Sequence, residues 1–151
     1  MSAGAPTNAP KGWRDLLRLK SSAQPADLDS LADKCEQLPP ERQAWGLSQV
    51  LHLLHADTLE SQRRSANVST ETMWVSLLAD SGAYDSAALA LLPPECTYSC
   101  ARLGDGTHSA QVVLPGGVGA YSRGALTLSL AISAALLRAL ARGMVEQRHT
   151  T

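Results

Sequence analysis

The apolar residues of this chain recur mostly with helical spacing, and the densest run lies near the C-terminus. Residues 122–143 read SRGALTLSLAISAALLRALARG, with no helix-breaking residue after the first turn. One face with steps of three and four residues consists of Leu126, Leu130, Ser133, Leu137, Leu140 and Met144. A helix that is apolar nearly all round lies at the centre of a fold or is partly covered by another chain. The pattern predicts a long central helix over about residues 122–146, capped by Ser122.

Shorter helices are predicted before this run. Helical apolar spacing, interrupted by proline, glycine or polar residues, marks about residues 13–20, 25–38, 40–64, 69–82 and 85–92. The buried side of the helix over 69–82 is predicted to be Met73, Trp74, Leu77 and Leu78. Residues 1–11, which are rich in Ala, Pro, Ser, Gly and Asn, are expected to form a flexible tail.

The apolar period changes from 3.6 to 2 after Pro93-Pro94. Residues 97–103 and 108–114 alternate in the manner of strands, and Gly-Asp-Gly-Thr between them has the composition of a tight turn. This arrangement predicts an antiparallel hairpin over about residues 97–114. Two strands alone are marginally stable, so we expect the hairpin to lie on helices or to pair with another chain.

These elements predict an α+β fold that is mostly helical, with four to five helices, one hairpin and the long C-terminal helix at its centre. The length of 151 residues fits one domain. We expect it to span residues 12–147, with a helical part over 12–92 and a hairpin-plus-helix part over 96–147.

Composition and charge narrow the classes of partner. The net charge of −1 provides no field to attract a polyanion, which argues against nucleic acid. The apolar run near the C-terminus contains three arginines, and its uninterrupted part is shorter than the roughly 20 residues of a membrane span. Three cysteines exclude a complete disulfide framework, and the N-terminal residues lack the pattern of a signal peptide. We therefore expect a cytoplasmic protein without a membrane span.

Two histidines and two cysteines form the most specific candidate for a metal site. His52 and His55 are three residues apart on a predicted helix and project from one side of it. Cys96 and Cys100 have a spacing found in zinc sites, but an extended strand would hold their thiols about 13 Å apart. No cofactor is therefore expected. Zinc stays open as part of an alternative, a small metal-dependent or thiol enzyme that uses these four residues.

The glycine-rich stretch after the hairpin is a second candidate site. Residues 114–124 read LPGGVGAYSRG and are predicted to join a strand to the final helix. Loops of this kind can hold phosphate on backbone N–H groups at a helix N-terminus. An anion or nucleotide would then contact Gly117, Gly119 and Arg123, within the loop Gly116–Arg123. The stretch lacks the lysine of a Walker loop and the third glycine of a dinucleotide loop.

The sequence favours a non-catalytic function. No catalytic residues are predicted, because no nucleophile motif or paired-carboxylate spacing singles out a set. The apolar sides of the final helix exceed what short neighbouring helices can cover, which favours a protein partner and a homo-oligomer. We expect an interaction module such as an adaptor, an assembly or secretion chaperone, or a regulatory subunit. Its predicted partner-binding residues, on the hairpin and the final helix, are Val112, Leu114, Leu126, Leu130 and Leu137.

Overall fold

The computed structural model describes the backbone of residues 24–64 and 70–149, with side chains over 24–54 and 73–146. Over these residues the fold is α+β, with five helices and a three-stranded antiparallel sheet, as the sequence predicts apart from the third strand. The elements are α1 (Pro25–Gln37), a 3-10 turn (Pro40–Arg42), α2 (Gln43–Arg64), α3 (Thr70–Asp80), α4 (Tyr84–Leu91), β1 (Thr97–Arg102), β2 (His108–Val113), β3 (Gly119–Ala125) and α5 (Leu128–His149). The predicted tail and the predicted helix over 13–20 lie outside the described residues.

Local sequence accounts for the start of α1 and for the hairpin. Pro25 occupies the first turn of α1, where its missing N–H costs no hydrogen bond, and the Asp27 carboxylate accepts a hydrogen bond from the Gln24 N–H at 3.1 Å. Between β1 and β2, the Asp105 carboxylate accepts hydrogen bonds from the N–H and hydroxyl of Thr107, at 2.9 and 2.6 Å. The hairpin therefore has the position that the alternating pattern predicts.

The prediction that the glycine-rich stretch leads directly into the final helix is wrong. The stretch divides into a turn and the strand β3, which pairs antiparallel with β2. Gly116 and Gly117 have φ values of 102° and 98°, so they take the turn conformation that side chains disfavour. Helix α5 consequently begins at Leu128, where the Thr127 hydroxyl accepts a hydrogen bond from the Leu130 N–H at 3.3 Å. Thr127, and not Ser122, is the residue that caps this helix.

Helix α5 lies at the centre of the fold, as its composition predicts. It packs against α1 and against the inner face of the sheet, and it also contacts α4 and α2. Its segment Leu128–Glu146 is long and apolar enough to cross a membrane, but 78% of that segment is buried inside the folded chain. This burial is typical of the core helix of a globular domain. The fully buried large side chains of α5 are Leu130, Ile132, Leu136, Leu137 and Leu140.

Helix α3 differs from the prediction in which side it buries. Met73, Trp74 and Leu77 are 57%, 55% and 60% exposed, whereas Leu78 is half-buried and Val75 is buried. The main neighbours of α3 are α2 and α4, and they contact the side that carries Val75. Helical spacing identifies an apolar face, but the positions of neighbouring elements decide which face is covered.

Candidate functional site

The rest of the described chain covers one outer edge of the sheet and leaves the other edge open. The strand order is β1-β2-β3, so β1 and β3 are both edge strands within the described residues. An edge strand presents unpaired N–H and C=O groups to which another strand can bind. Another strand can therefore bind to whichever of these two edges the rest of the chain leaves uncovered.

Side chains from α1 and α5 cover the edge of β3. The carbonyl oxygen of Gly119 accepts a hydrogen bond from Arg142 at 2.9 Å, and that of Tyr121 accepts one from Arg138 at 3.3 Å. The N–H of Arg123 donates to the Glu36 carboxylate at 3.3 Å. These three residues alternate along β3, as expected for the groups that point away from β2. Side chains thus bond to three outward backbone groups of β3, one on each of these residues.

An ion pair between Glu36 and Arg138 holds the side chains that cover the edge of β3. The two Arg138 nitrogens Nη1 and Nη2 lie 2.5 and 2.6 Å from the two Glu36 oxygens, and Nη2 lies 2.8 Å from Asp33. The buried Ser122 hydroxyl also donates to Glu36, at 2.6 Å. Hydrogen bonds from Arg138 hold the pKa of Glu36 below its usual range, and those to Glu36 raise the pKa of Arg138. Both groups therefore stay charged at neutral pH and form a structural clamp between α1, β3 and α5.

The edge of β1 is open. The Leu103 N–H donates to the Thr107 carbonyl at 2.8 Å, which makes Leu103 and Thr107 a hydrogen-bonded pair. Hydrogen-bonded and non-hydrogen-bonded pairs alternate along an antiparallel ladder. The register then directs the backbone N–H and C=O groups of Tyr98, Cys100 and Arg102 away from β2. No other described residue pairs with these groups, and all six side chains of β1 are exposed.

Strand β1 carries one of the features that commonly protect an open edge, the charged side chain of Arg102 at its end, and lacks the others. Proteins block edges with proline, charged side chains such as lysine, an inward-pointing charge, a bulge or a very short strand. Strand β1 reads TYSCAR, spans six residues and pairs with β2 without a register shift. An edge of ordinary strand length with a single charge at its end can still act as a template for strand addition, so this edge is the candidate functional site.

A shallow groove of about 530 Å³ lies on the outer face of the sheet beside this edge. Small side chains from Ser99, Ala101 and Ser109 line it, together with the larger Tyr121 and Arg123. Tyr121 is 67% exposed. A strand that binds to β1 would widen this groove and would bring its own alternate side chains next to Ser99 and Ala101.

Most of the predicted partner-binding residues belong to the core of the chain itself. Val112, Leu114, Leu130 and Leu137 are at most 2% exposed, because the inner face of the sheet and helices α1, α2 and α4 cover them. Only Leu126, which is 45% exposed, presents its side chain to a partner among these five. The hairpin therefore offers its backbone edge rather than these apolar side chains.

The predicted anion-binding residues do not surround one point. Gly117 lies in the turn before β3, Gly119 begins β3, and Arg123 is exposed near the end of that strand. A phosphate-binding loop needs a helix N-terminus directly after its glycines. The seven residues of β3 separate the turn from the start of α5, so the loop lacks this geometry.

The predicted metal ligands are distributed over two parts of the fold. His52 is exposed on α2, and the side chain of His55 lies outside the described side chains. Cys96 directly precedes β1, and Cys100 lies in the middle of that strand. The main contacts of α2 are with helices, whereas those of β1 are with β2 and α5. Among the described residues, no group of three or more His, Cys, Asp or Glu is arranged to hold a metal ion.

The thiols differ in their environments. Burial raises the pKa of Cys35 to about 12 and raises the pKa of Cys96 above its usual range. Since the thiolate is the reactive form, these two cysteines are poor nucleophiles at neutral pH. Cys100 is exposed on the open strand.

Sequence reasoning missed the clamp residues Glu36, Arg138 and Ser122 as a group. Glu36 lies 86 positions from Ser122 and 102 positions from Arg138, and no local pattern connects it to either. An arginine in the middle of a long apolar helix was the available signal, because a charge in such a position needs a partner. No protein-family model, curated protein or solved structure matches this chain.

Proposed function

We propose that this protein is a non-catalytic interaction module that binds an extended segment of a partner protein along the open edge of β1. The observation that carries the proposal is the contrast between the two edges of one sheet. Side chains of α1 and α5 bond to one outward backbone group on each of Gly119, Tyr121 and Arg123 in β3. The outward backbone groups of Tyr98, Cys100 and Arg102 in β1 have no partner among the described residues. Backbone pairing would supply the affinity, and the neighbouring groove would supply the specificity.

The scaffold supports this use of the edge. Strand β1 is held by its full-length pairing with β2, and β2 packs on the buried helix α5. An edge that is already extended loses little conformational freedom when another strand binds. The class of protein this describes is an adaptor, assembly factor or regulatory subunit.

Selection from a library of displayed extended peptides tests the proposal. The library is selected on the wild-type protein, and the affinities of the recovered peptides are then measured for Cys100→Pro. Proline at this position removes an outward N–H and leaves the bonds to β2 intact, so the hairpin can form. We expect at least a tenfold loss of affinity for edge-binding peptides.

Two variants control for other effects of the substitution. Cys100→Ala keeps the N–H and removes the thiol, so it should bind the peptides as the wild type does. Ala101→Pro removes an N–H that donates to β2, so it should lower the melting temperature. It shows the effect of disrupting the hairpin while every outward N–H of β1 is kept. The proposal fails if every recovered peptide binds folded Cys100→Pro as tightly as it binds the wild type.

A further inference from the structure

We infer that the partner at the open edge is a second copy of this chain, bound by antiparallel pairing of β1 with β1 across a two-fold axis at Cys100. This inference rests on the proposed use of the β1 edge and names the occupant of that site. A two-fold dimer requires that one surface be complementary to itself. The backbone groups and the side chains of strand β1 are self-complementary in one register.

The positions of the outward backbone groups restrict the register of such a pair. Only Tyr98, Cys100 and Arg102 direct their N–H and C=O groups outward, so these residues must face one another in hydrogen-bonded pairs. Centring the axis on Cys100 places Tyr98 opposite Arg102 of the second copy, and Cys100 opposite itself. This register pairs all three outward residues of both copies. Moving the axis by one residue in either direction leaves one outward residue of each copy outside the β1–β1 pairing.

The exposed side chains of β1 are also compatible with the register centred on Cys100. Arg102 is exposed and has no ion-pair partner among the described residues, and Tyr98 is 51% exposed. When these two side chains are opposite each other, the Arg102 guanidinium can lie over the Tyr98 ring in a favourable cation–π contact. On the other sheet face, Ser99 meets Ala101 of the second copy. No two like charges are directly opposite, whereas centring the axis on Arg102 would place two arginines together.

The small area of the β1–β1 contact limits the affinity expected of the dimer. Pairing of two six-residue strands lies at the low end of specific interfaces, below about 1,200 Å² of buried surface. The dimer should therefore exchange rapidly with the monomer, with a dissociation constant on the order of 10–100 μM. It joins two three-stranded sheets into one continuous sheet with the covered β3 strands at its two ends.

Cysteine cross-linking reads this register directly. Residues in a hydrogen-bonded antiparallel pair have Cα atoms about 5.5 Å apart, within the range that a disulfide bridges. A displacement of two residues offsets the two Cα atoms by ~6.6 Å along the strand, which takes them to about 8.6 Å apart and prevents the bridge. With diamide as oxidant, two Cys100 thiols form one disulfide, and diamide takes up the two electrons and two protons.

The experiment compares two single substitutions at about 200 μM protein. Cys96→Ser retains Cys100 and should give a covalent dimer, whereas Cys100→Ser retains the half-buried Cys96 and should stay monomeric on a non-reducing gel. Sedimentation velocity without oxidant, from about 10 to 500 μM, should show a concentration-dependent dimer for both. Cys100→Asp should shift this equilibrium at least tenfold toward monomer, because it places two negative charges opposite each other at the axis.

The outcomes separate this inference from the proposed function. A wild-type protein that stays monomeric throughout the concentration range overturns self-pairing, while edge-dependent peptide binding would leave the proposed function standing. If folded Cys100→Asp dimerises as the wild type does, and oxidised Cys96→Ser gives no Cys100 cross-link, the dimer uses another surface and the inference is overturned. Circular dichroism of each variant establishes that it is folded before it is compared.

Discussion

The Glu36 carboxylate and the Arg138 guanidinium form a two-point ion pair that joins α1 to α5, with nitrogen–oxygen distances of 2.5 and 2.6 Å. About a fifth of each side chain is exposed, so the pair is partly protected from water. Arg138 also donates to the Tyr121 carbonyl on the edge of β3. One arginine in the central helix therefore both fixes α1 and covers one edge of the sheet.

Arg138→Ala should lower the free energy of unfolding by about 2–3 kcal/mol, because it leaves the partly buried Glu36 carboxylate without its main partner. Arg138→Lys should recover only part of this loss, since an ammonium group cannot form the two-point contact. Urea unfolding followed by circular dichroism measures both. Arg142→Ala, which removes one exposed hydrogen bond to Gly119, is the control and should cost about 1 kcal/mol or less. Equal losses for Arg138→Ala and Arg142→Ala would contradict the clamp.

The stability that Glu36 provides should be lost at acid pH. Hydrogen bonds from Arg138 lower the pKa of Glu36 in the folded protein, while in the unfolded chain it is about 4.3. The stabilisation is thus complete above the unfolded pKa and disappears as the pH falls through the folded pKa. The difference in unfolding free energy between wild type and Glu36→Gln should be constant from about pH 6 to 8 and should shrink below about pH 5. Glu41→Gln removes the same charge from an exposed position and serves as the control. A difference that stays constant down to pH 3 would argue against this role of Glu36.

Two fully buried serines should respond differently to the same substitution. Ser122 donates to the charged Glu36 at 2.6 Å, so Ser122→Ala should cost about 1.5–3 kcal/mol. Ser133 donates to the carbonyl of Ser129 within its own helix, so Ser133→Ala should change stability by about 0.5 kcal/mol or less. Thermal and urea unfolding of both variants give the comparison. The reverse order would show that the Ser122–Glu36 hydrogen bond adds no stability.

Two leucines, Leu77 in α3 and Leu137 in α5, should differ strongly in how much they stabilise the fold. Leu77→Ala should change the unfolding free energy by about 0.5 kcal/mol or less, because the side chain is 60% exposed. Leu137→Ala should cost about 2–5 kcal/mol, because Leu137 is fully buried and the substitution leaves a cavity. Urea unfolding with matched protein concentrations measures both. A loss above about 2 kcal/mol for Leu77→Ala would place that side chain in the core.

Helix α3 shows which features apolar spacing predicts and which it does not. The apolar spacing of Met73, Trp74 and Leu77 correctly indicates a helix, but the three side chains lie on its uncovered side. For β3 the sequence was misleading, because glycines and a serine resemble the end of a loop and the start of a helix. The strand forms since Gly116 and Gly117 reverse the chain and β2 supplies the ladder that Gly119–Ala125 joins.

Local pattern by itself determined the α+β class, the position of the hairpin and the central place of the C-terminal helix, because these follow from apolar period, turn composition and total apolar content. Only the tertiary structure decided which edge of the sheet is covered. The groups that cover β3 come from Glu36, Arg138 and Arg142, which are distant in sequence and meet only after α1 and α5 have packed. The same packing leaves β1 beyond the reach of these side chains, so its backbone remains available for another strand.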